Sequence, residues 1–374
     1  MGPQAPQQED ARPSRSGTGG PERFLVLDGL RGIAAFAVIL DHVPSGQLGA
    51  LVPNRTLSVD FFFILSGFVL AHAYGAKLEG GWSPWAFMRM RLIRLYPLYI
   101  LGTLIGVLAL LGQHWPGWGH FLYALIPAIL FLPAPPNSAV SGGSLYPYNG
   151  PAWSLFFELI ANLVFAIIAR FLTWRVFAVI LPVGAVLTVV TTFNHPDARG
   201  PGWMWMHLDA GLARVVFDFF AGAAIYRLRS VIVLPAIPWW AAAGAFLVAI
   251  AIPVAAEWAP AYDAFATIVL MPLLVALASG AKVNGVVAWM CGALGLLSYG
   301  VYVLHVPILQ ILSPGLAAIG VPPWGNAPSA ILIALVAGAA AAILHTLYDQ
   351  PVRRWLARVL PGGAKRPEVA HSAR

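Results

Sequence analysis

Arg31 and His42 stand eleven positions apart in an apolar run, 24–43, that otherwise reads as a membrane-crossing helix. At 100° per residue, eleven steps make three turns plus about 20°, so both side chains share one helical face, roughly 16 Å apart along the axis. Ionisable groups in hydrocarbon are costly and normally face a bundle interior or a wet cavity. The pair is therefore a candidate active-site axis: an imidazole there can deprotonate a hydroxyl, and a guanidinium can hold developing negative charge. Arg31 can instead pair with Asp28 at i,i+3 as a purely structural contact.

Other polar residues recur in the same setting. Arg91 and Arg94 are i,i+3 neighbours at the start of a run at 92–112 and are followed by Tyr96-Pro97. Two guanidiniums so placed suit a phosphate or pyrophosphate, although basic residues at span ends are also ordinary interfacial anchors. Ser154, Glu158 and Asn162 recur every four residues, a polar ladder on one face of a helix otherwise built from Leu, Phe, Ile and Val. It reads as a functional hydrogen-bond network or as helix–helix glue, and Glu158 needs a donor such as a Trp N–H or a Tyr hydroxyl. Asp60, at the head of the run 57–75, is either a helix cap or a support for the imidazole. Tyr302 and His305 share a face at i,i+3, and Arg214 and Asp218 stand at i,i+4, a spacing that permits a self-neutralising ion pair. No group of residues has metal-ligand spacing on one face, and neither a phosphate loop nor a nucleophile elbow occurs.

Positioning these residues requires a membrane bundle. Hydrophobic residues make up 59% of the chain and charged residues 10%, against about 25% charged in a soluble domain. The mean hydropathy is +0.76. Apolar runs long enough to cross a bilayer occur at 24–43, 57–75, 92–112, 152–172, 176–193, 209–226, 239–256, 262–280, 286–311 and 328–347. A further run, 121–133, is short and contains Pro127, which suits a re-entrant or interfacial segment. Asp349-Gln350-Pro351 is expected to stop the last helix. If 121–133 returns to the side it came from and the N-terminus is cytoplasmic, most of the 22 Lys and Arg residues fall on the inner face. The expected architecture is thus an all-α bundle of ten spanning helices plus one re-entrant or interfacial segment, with both termini cytoplasmic. Residues 1–23 and 361–374 read as disordered tails around a single transmembrane domain, 24–360. The net charge of +7 flanks hydrophobic runs, so it reads as topology rather than nucleic-acid binding. A single cysteine, Cys291, excludes a disulfide framework.

The residues in order resemble those of a known family. Leu27-Asp28-Gly29-Leu30-Arg31-Gly32 followed by His42 is similar to the opening signature of the acyltransferase-3 family of integral membrane acyltransferases. Ser58 to Phe68 (SVDFFFILSGF) resembles its second-span motif, Arg91 to Tyr99 (RLIRLYPLY) its paired-arginine motif, and Trp153-Ser154 with Glu158 its tryptophan-serine-glutamate element. Arg214 to Gly222 (RVVFDFFAG) and Ser298 to Pro307 (SYGVYVLHVP) resemble two later spans, and Asp349-Gln350-Pro351 an acidic-X-Pro ending that more often begins with Glu. The resemblance covers about 24–356. With a short tail read after the last span, an extracytoplasmic esterase-like domain, which some relatives carry, is not expected there.

The resemblance implies transfer of an acyl group, often acetyl, from cytoplasmic acyl-coenzyme A to a hydroxyl of a sugar in a polysaccharide, a lipid-linked glycan or a glycosylated metabolite, with no metal. It implies His42 as general base or as a transient acyl carrier, Arg31 as a stabiliser of negative charge, and Asp60 or Glu158 as orienting partner. Arg91, Arg94 and Tyr96 would meet the donor, and Trp153, Ser154, Tyr302 and His305 the acceptor. The implied location is a bacterial inner membrane, with lipid and a carbohydrate acceptor as partners. Intramembrane Arg, His, Glu and Asp are also what a proton-coupled transporter or flippase of a glycolipid or polyol would use. Internal repeats typical of transporters are not evident.

Overall fold

The computed structural model describes residues 23–42, 51–112, 116–136, 140–196, 198–320 and 327–360. The tails expected at 1–23 and 361–374 lie outside them, Arg23 excepted. Of the described residues 79% are helical, and none of them forms a β-strand. In chain order the helices are α1 Leu25–Ile39, α2 Leu57–Glu79, α3 Pro84–Leu111, α4 Trp118–Ile129, α5 Ala152–Ile168, α6 Trp174–Asn194, α7 Leu208–Arg229, α8 Trp239–Ala251, α9 Ala259–Phe265, α10 Met271–Ala278, α11 Gly285–Ala318, α12 Ala327–Leu344 and α13 Gln350–Val359. Wide π turns at Ala266–Leu270 and His345–Asp349 join α9 to α10 and α12 to α13.

Among the described residues, seven helical stretches are long and apolar enough to cross a membrane. Three of the ten runs expected to cross fall outside that set, each for a visible reason. The first is a 15-residue α-helix that tightens into a 3-10 turn through His42. α7 carries Asp209, Arg214 and Asp218 along its length. α8 has only 13 residues, because Ile252 precedes Pro253 and is held extended. The expected stop at Asp349-Gln350-Pro351 is not a stop. The π turn absorbs the proline, which then sits in the first turn of α13, where its missing N–H costs no helical bond. The helical stretch runs on from Pro328 to Val359, 32 residues.

Close crossings organise the bundle. In lipid, helices gain little from hydrophobic burial against one another, so contact between small residues does much of the work. A Cβ on Gly67 of α2 would lie 1.8 Å from the Phe219 carbonyl oxygen of α7, and one on Gly222 of α7 would lie 1.9 Å from the Ile64 oxygen of α2. Gly29 and Gly32 of α1 abut Cys291 and Leu294 of α11, while Gly295 of α11 abuts Asp28. Gly102 brings α3 against Val303 of α11.

The short run expected at 121–133 forms α4, whose 12 residues fall well below crossing length. Its last carbonyls lack helical partners, and tyrosine hydroxyls fill the gap. Tyr99 donates to Ala128 O at 2.5 Å, Tyr96 to Ile129 O at 2.8 Å and Tyr146 to Phe131 O at 2.9 Å. Tyr148 donates to Phe121 O at 3.1 Å. Burial pushes the Tyr146 and Tyr148 phenols up, that of Tyr148 to about 12, so both stay protonated as donors. Phe131 turns the chain at a φ of 60° and stacks on Tyr99 with ring centroids 3.8 Å apart.

The α2–α7 crossing makes a direct test. Gly67→Ala is expected to lower the thermal midpoint of the detergent-solubilised protein by several degrees, the effect of roughly 1–3 kcal/mol of overpacking. Gly75→Ala in the same helix meets nothing within 4 Å and should not lower it. Equal midpoints for the two variants would contradict the crossing.

Candidate active site

Arg91 and Arg94 part company in the folded chain. α3 begins at Pro84, eight residues before the expected start of its run, with Ser83 preceding a proline in the first turn. Arg91 therefore lies about two turns inside the helix rather than at its edge. Its Nη2 donates to Glu158 Oε1 at 2.7 Å, and the Ser66 hydroxyl of α2 donates to the same oxygen at 2.6 Å. With the Asn162 amide oriented to satisfy its neighbours, its oxygen accepts from Arg91 Nε at 3.2 Å and its nitrogen donates to the Glu158 carbonyl at 3.2 Å. The polar ladder of α5 thus meets the second and third helices in one network, and the donors to Glu158 are a guanidinium and a serine rather than a Trp or Tyr. Arg94 has no hydrogen bond or ion pair to any other described residue and opens into two cavities.

The first cavity, about 160 Å³, is bounded by Phe62, Phe63, Ser66, Leu155 and Glu158, and it ends against Ser154 and Tyr302. The second, about 280 Å³, is lined by Arg23, Arg353, His345 and Asp349. Arg31, Arg94 and Tyr299 form walls of both. Tyr299 is held by a hydrogen bond to the Leu95 carbonyl. In the second cavity, Arg353 pairs with Asp349 at 2.6 Å, and the π turn carries both Asp349 and His345 into the lining. Two arginines, Arg23 and Arg353, thus join Arg94 and Arg31 around the second cavity, which suits a polyanion.

Arg31 makes the i,i+3 pair expected of it and also borders both cavities. It pairs with Asp28 at 3.1 Å, while Nη2 donates to Gly295 O at 2.7 Å and Nε to Ser298 Oγ at 3.0 Å. Its side chain remains 30% exposed, toward the cavities. Ser154 Oγ lies 2.6 Å from the Tyr302 hydroxyl. Tyr302 packs edge-on against Phe62, with centroids 5.3 Å apart, and its ring centroid is 6.1 Å from that of His305. His305 Nε2 is 3.2 Å from His42 Nδ1. His42 therefore lies one aromatic layer beyond the end of the first cavity, not in its lining.

Besides His42 and His305, three further residues named from sequence lie apart from this space. Asp60 is clasped by Arg214 in a bidentate pair, Nε to Oδ1 at 2.8 Å and Nη2 to Oδ2 at 2.9 Å, so the i,i+4 pairing expected between Arg214 and Asp218 gives way to one between helices. Fork-to-fork geometry favours the interhelical partner. Trp153 is buried between Phe63 and Phe157, with the Arg214 guanidinium 5.9 Å from its ring. Tyr96 turns to the end of α4. Sequence reasoning passed over Ser298, Tyr299, His345 and Arg353 as lining residues. The Ser-Pro start of α3 was the available signal for how deep Arg91 lies; nothing local signalled that Arg353 meets Arg94.

A profile of the acyltransferase domain family (acyltransferase 3) matches residues 24–346. Protein 2 in the picA locus of Rhizobium radiobacter is 41% identical over 184 residues, 46% of this chain and 95% of that protein. The acyltransferase MdmB of Streptomyces mycarofaciens is 27% identical over 91% of this chain and 94% of its own. The exopolysaccharide production protein ExoZ of Rhizobium meliloti (strain 1021) is 25% identical over 82% of this chain and 92% of its own. No solved structure matches significantly.

Asp60 and Arg214 can be separated from the chemistry by stability. Asp60→Leu strands a buried guanidinium and is expected to cost about 3–5 kcal/mol, read as a fall in thermal midpoint. Adding Arg214→Leu should recover part of that loss. A double variant no better than the single would show that the two residues do not neutralise each other.

Proposed function

The chain belongs to the acyltransferase domain family, and on that premise we propose that it moves an acyl group, acetyl in the simplest case, from cytoplasmic acyl-coenzyme A to a sugar hydroxyl. The acceptor is a polysaccharide, a lipid-linked glycan or a glycosylated metabolite. The observation that carries this reading is the pair of cavities that share Arg31, Arg94 and Tyr299 as walls: one lined by arginines and their acidic partners, the other largely apolar with Ser154 and Tyr302 in its wall. A donor with a phosphorylated head and a slender thioester arm has that distribution of charge. Arg94, with Arg23 and Arg353 beside it, suits the phosphates. Arg91 is committed to Glu158 and holds that side chain at the side of the arm. The printed name of ExoZ, a protein of exopolysaccharide production, favours a carbohydrate acceptor.

Ten crossings with both termini in the cytoplasm of a bacterial inner membrane complete the proposal. The direction of α11 supports it. Gly29 meets Cys291, Gly32 meets Leu294, Arg31 meets Ser298 and His42 meets His305, so α1 and α11 run parallel. As first and ninth crossings they must do so. Were α4 a full crossing, α11 would be the tenth and would run the other way. On this topology Arg31, Arg94 and the basic cavity face the cytoplasm, where acyl-coenzyme A is found, and His42 faces the acceptor.

In the transfer, His42 takes the proton of the acceptor hydroxyl as its oxygen attacks the thioester carbonyl. The new C–O bond forms, the C–S bond breaks, and the thiolate leaves with the proton. Tyr302 and its bond to Ser154 stand between the first cavity and the His42–His305 pair. Swinging that ring aside brings thioester and imidazole together.

Purified protein given labelled acetyl-coenzyme A and candidate glycans tests the reading. His42→Ala should lower kcat by about 10²–10⁴-fold. Arg94→Ala should raise the KM for acyl-coenzyme A by roughly 10-fold or more with kcat little changed, as expected on losing a charge-assisted contact made equally before and during the reaction. Movement of the acceptor across vesicles without consumption of acyl-coenzyme A would overturn the proposal in favour of a transporter.

A further inference from the structure

We infer that His305 is the positioning residue for the base, accepting the Nδ1–H of His42 and so fixing the tautomer in which His42 carries its lone pair on Nε2. This rests on the acyl-transfer reading with His42 as base. His305 is wholly buried in α11, and its Nδ1 lies 3.1 Å from the Val301 carbonyl oxygen. A carbonyl can only accept, so Nδ1 carries the hydrogen and the neutral ring has its lone pair on Nε2. That nitrogen is 3.2 Å from His42 Nδ1, and the Val38 carbonyl oxygen lies 3.3 Å from the same His42 atom. Both described neighbours of His42 Nδ1 are acceptors. His42 Nδ1 therefore carries its hydrogen, and Nε2 is the basic nitrogen.

In many general-base sites a carboxylate holds the imidazole in this tautomer. The two carboxylates expected to do so here are occupied elsewhere, Asp60 by Arg214 and Glu158 by Arg91 and Ser66. A neutral imidazole does the same orienting work without placing another charge among apolar helices, where an unpaired carboxylate is costly. As the acceptor oxygen bonds to the acyl carbon, its proton passes to His42 Nε2. The resulting imidazolium keeps its Nδ1–H on His305 and Val38 until Nε2 returns a proton to the departing thiolate. His305 touches neither substrate; it acts through His42.

Three substitutions at one position test this. The Gln carboxamide oxygen reaches the place of Nε2, the Asn amide reaches only that of Nδ1, and Leu offers no acceptor. His305→Gln is expected to stay within about tenfold of wild-type kcat. His305→Asn and His305→Leu should fall by about 10²–10⁴-fold, the scale of a base held in the wrong tautomer, with the KM for acyl-coenzyme A unchanged. Where His305→Leu fails to fold, the comparison of Gln with Asn decides. Equal kcat values for those two variants, or wild-type activity in His305→Leu, would overturn the inference. A wild-type protein that transfers no acyl group would instead sink the acyl-transfer reading.

Discussion

The parallel contact between α1 and α11 is the constraint on which the site depends. Glycines at 29, 32 and 295 bring the two backbones close enough that a Cβ at Gly32 would fall 2.4 Å from Leu294 Cβ. At that separation the register is set by steric fit, and a slip of one residue would rotate every α1 side chain by about 100° relative to its partners. Arg31 on Ser298 and Gly295, and His42 on His305, are the two ends of that register. α11 is itself located by α3, through Gly102 against Val303 and through the Tyr299 hydroxyl on Leu95 O. The guanidinium at one face and the imidazole at the other are consequently parts of one rigid assembly. A change in the packing of α11 is felt at both.

The remaining polar groups sort by whether they find partners within the bundle. Asp60 and Arg214 satisfy each other, and Arg214 Nη1 also donates to Pro201 O at 2.8 Å. That arrangement ties α2 to α7 and leaves neither group for chemistry. Glu158 with Arg91, Ser66 and Asn162 ties three helices together, yet borders a cavity, so its charge still acts on whatever enters. Arg94 is different: three residues from Arg91, it has no described partner and opens into both cavities. A guanidinium bordering a cavity in this way suits a polyanion. The same side-chain type on consecutive turns of α3 thus closes an ion pair once and borders both cavities once.

Much of this was legible in the sequence. The helical class, the ten apolar runs, the short segment at 121–133 and the family all follow from hydropathy and motif order, because lipid forces backbone polar groups into helices and makes each span conspicuous. The shared face of Arg31 and His42, and that of Tyr302 and His305, follows from helical periodicity. What stayed hidden was set between helices. Arg214 at i,i+4 from Asp218 offers a local partner, but the better fork comes from Asp60, 154 residues away. The His42–His305 pair spans 263 residues, and no periodicity within either helix announces it. Pro351 looks like a helix stop because the rule for prolines assumes an α-helix, and the π turn before it removes the conflict.

The aromatic layer at Tyr302 answers a chemical problem that the proposed transfer poses. A thioester that reached water as readily as it reached a sugar would be hydrolysed, so the base and the donor are best kept apart until the acceptor is seated. Phe62 edge-on to Tyr302, and Tyr302 bonded to Ser154 at 2.6 Å, close the inner cavity on the side of His42. The Tyr302 hydroxyl meets Ser154, and a staggered side-chain change can alter that contact. Ser154 sits one turn from Glu158 on α5, and Glu158 borders the arm of the cavity. An acyl group filling that arm therefore touches the residues that hold the ring shut. On the proposed reading, occupancy of that arm and the position of the Tyr302 ring are coupled by way of the Ser154–Tyr302 contact.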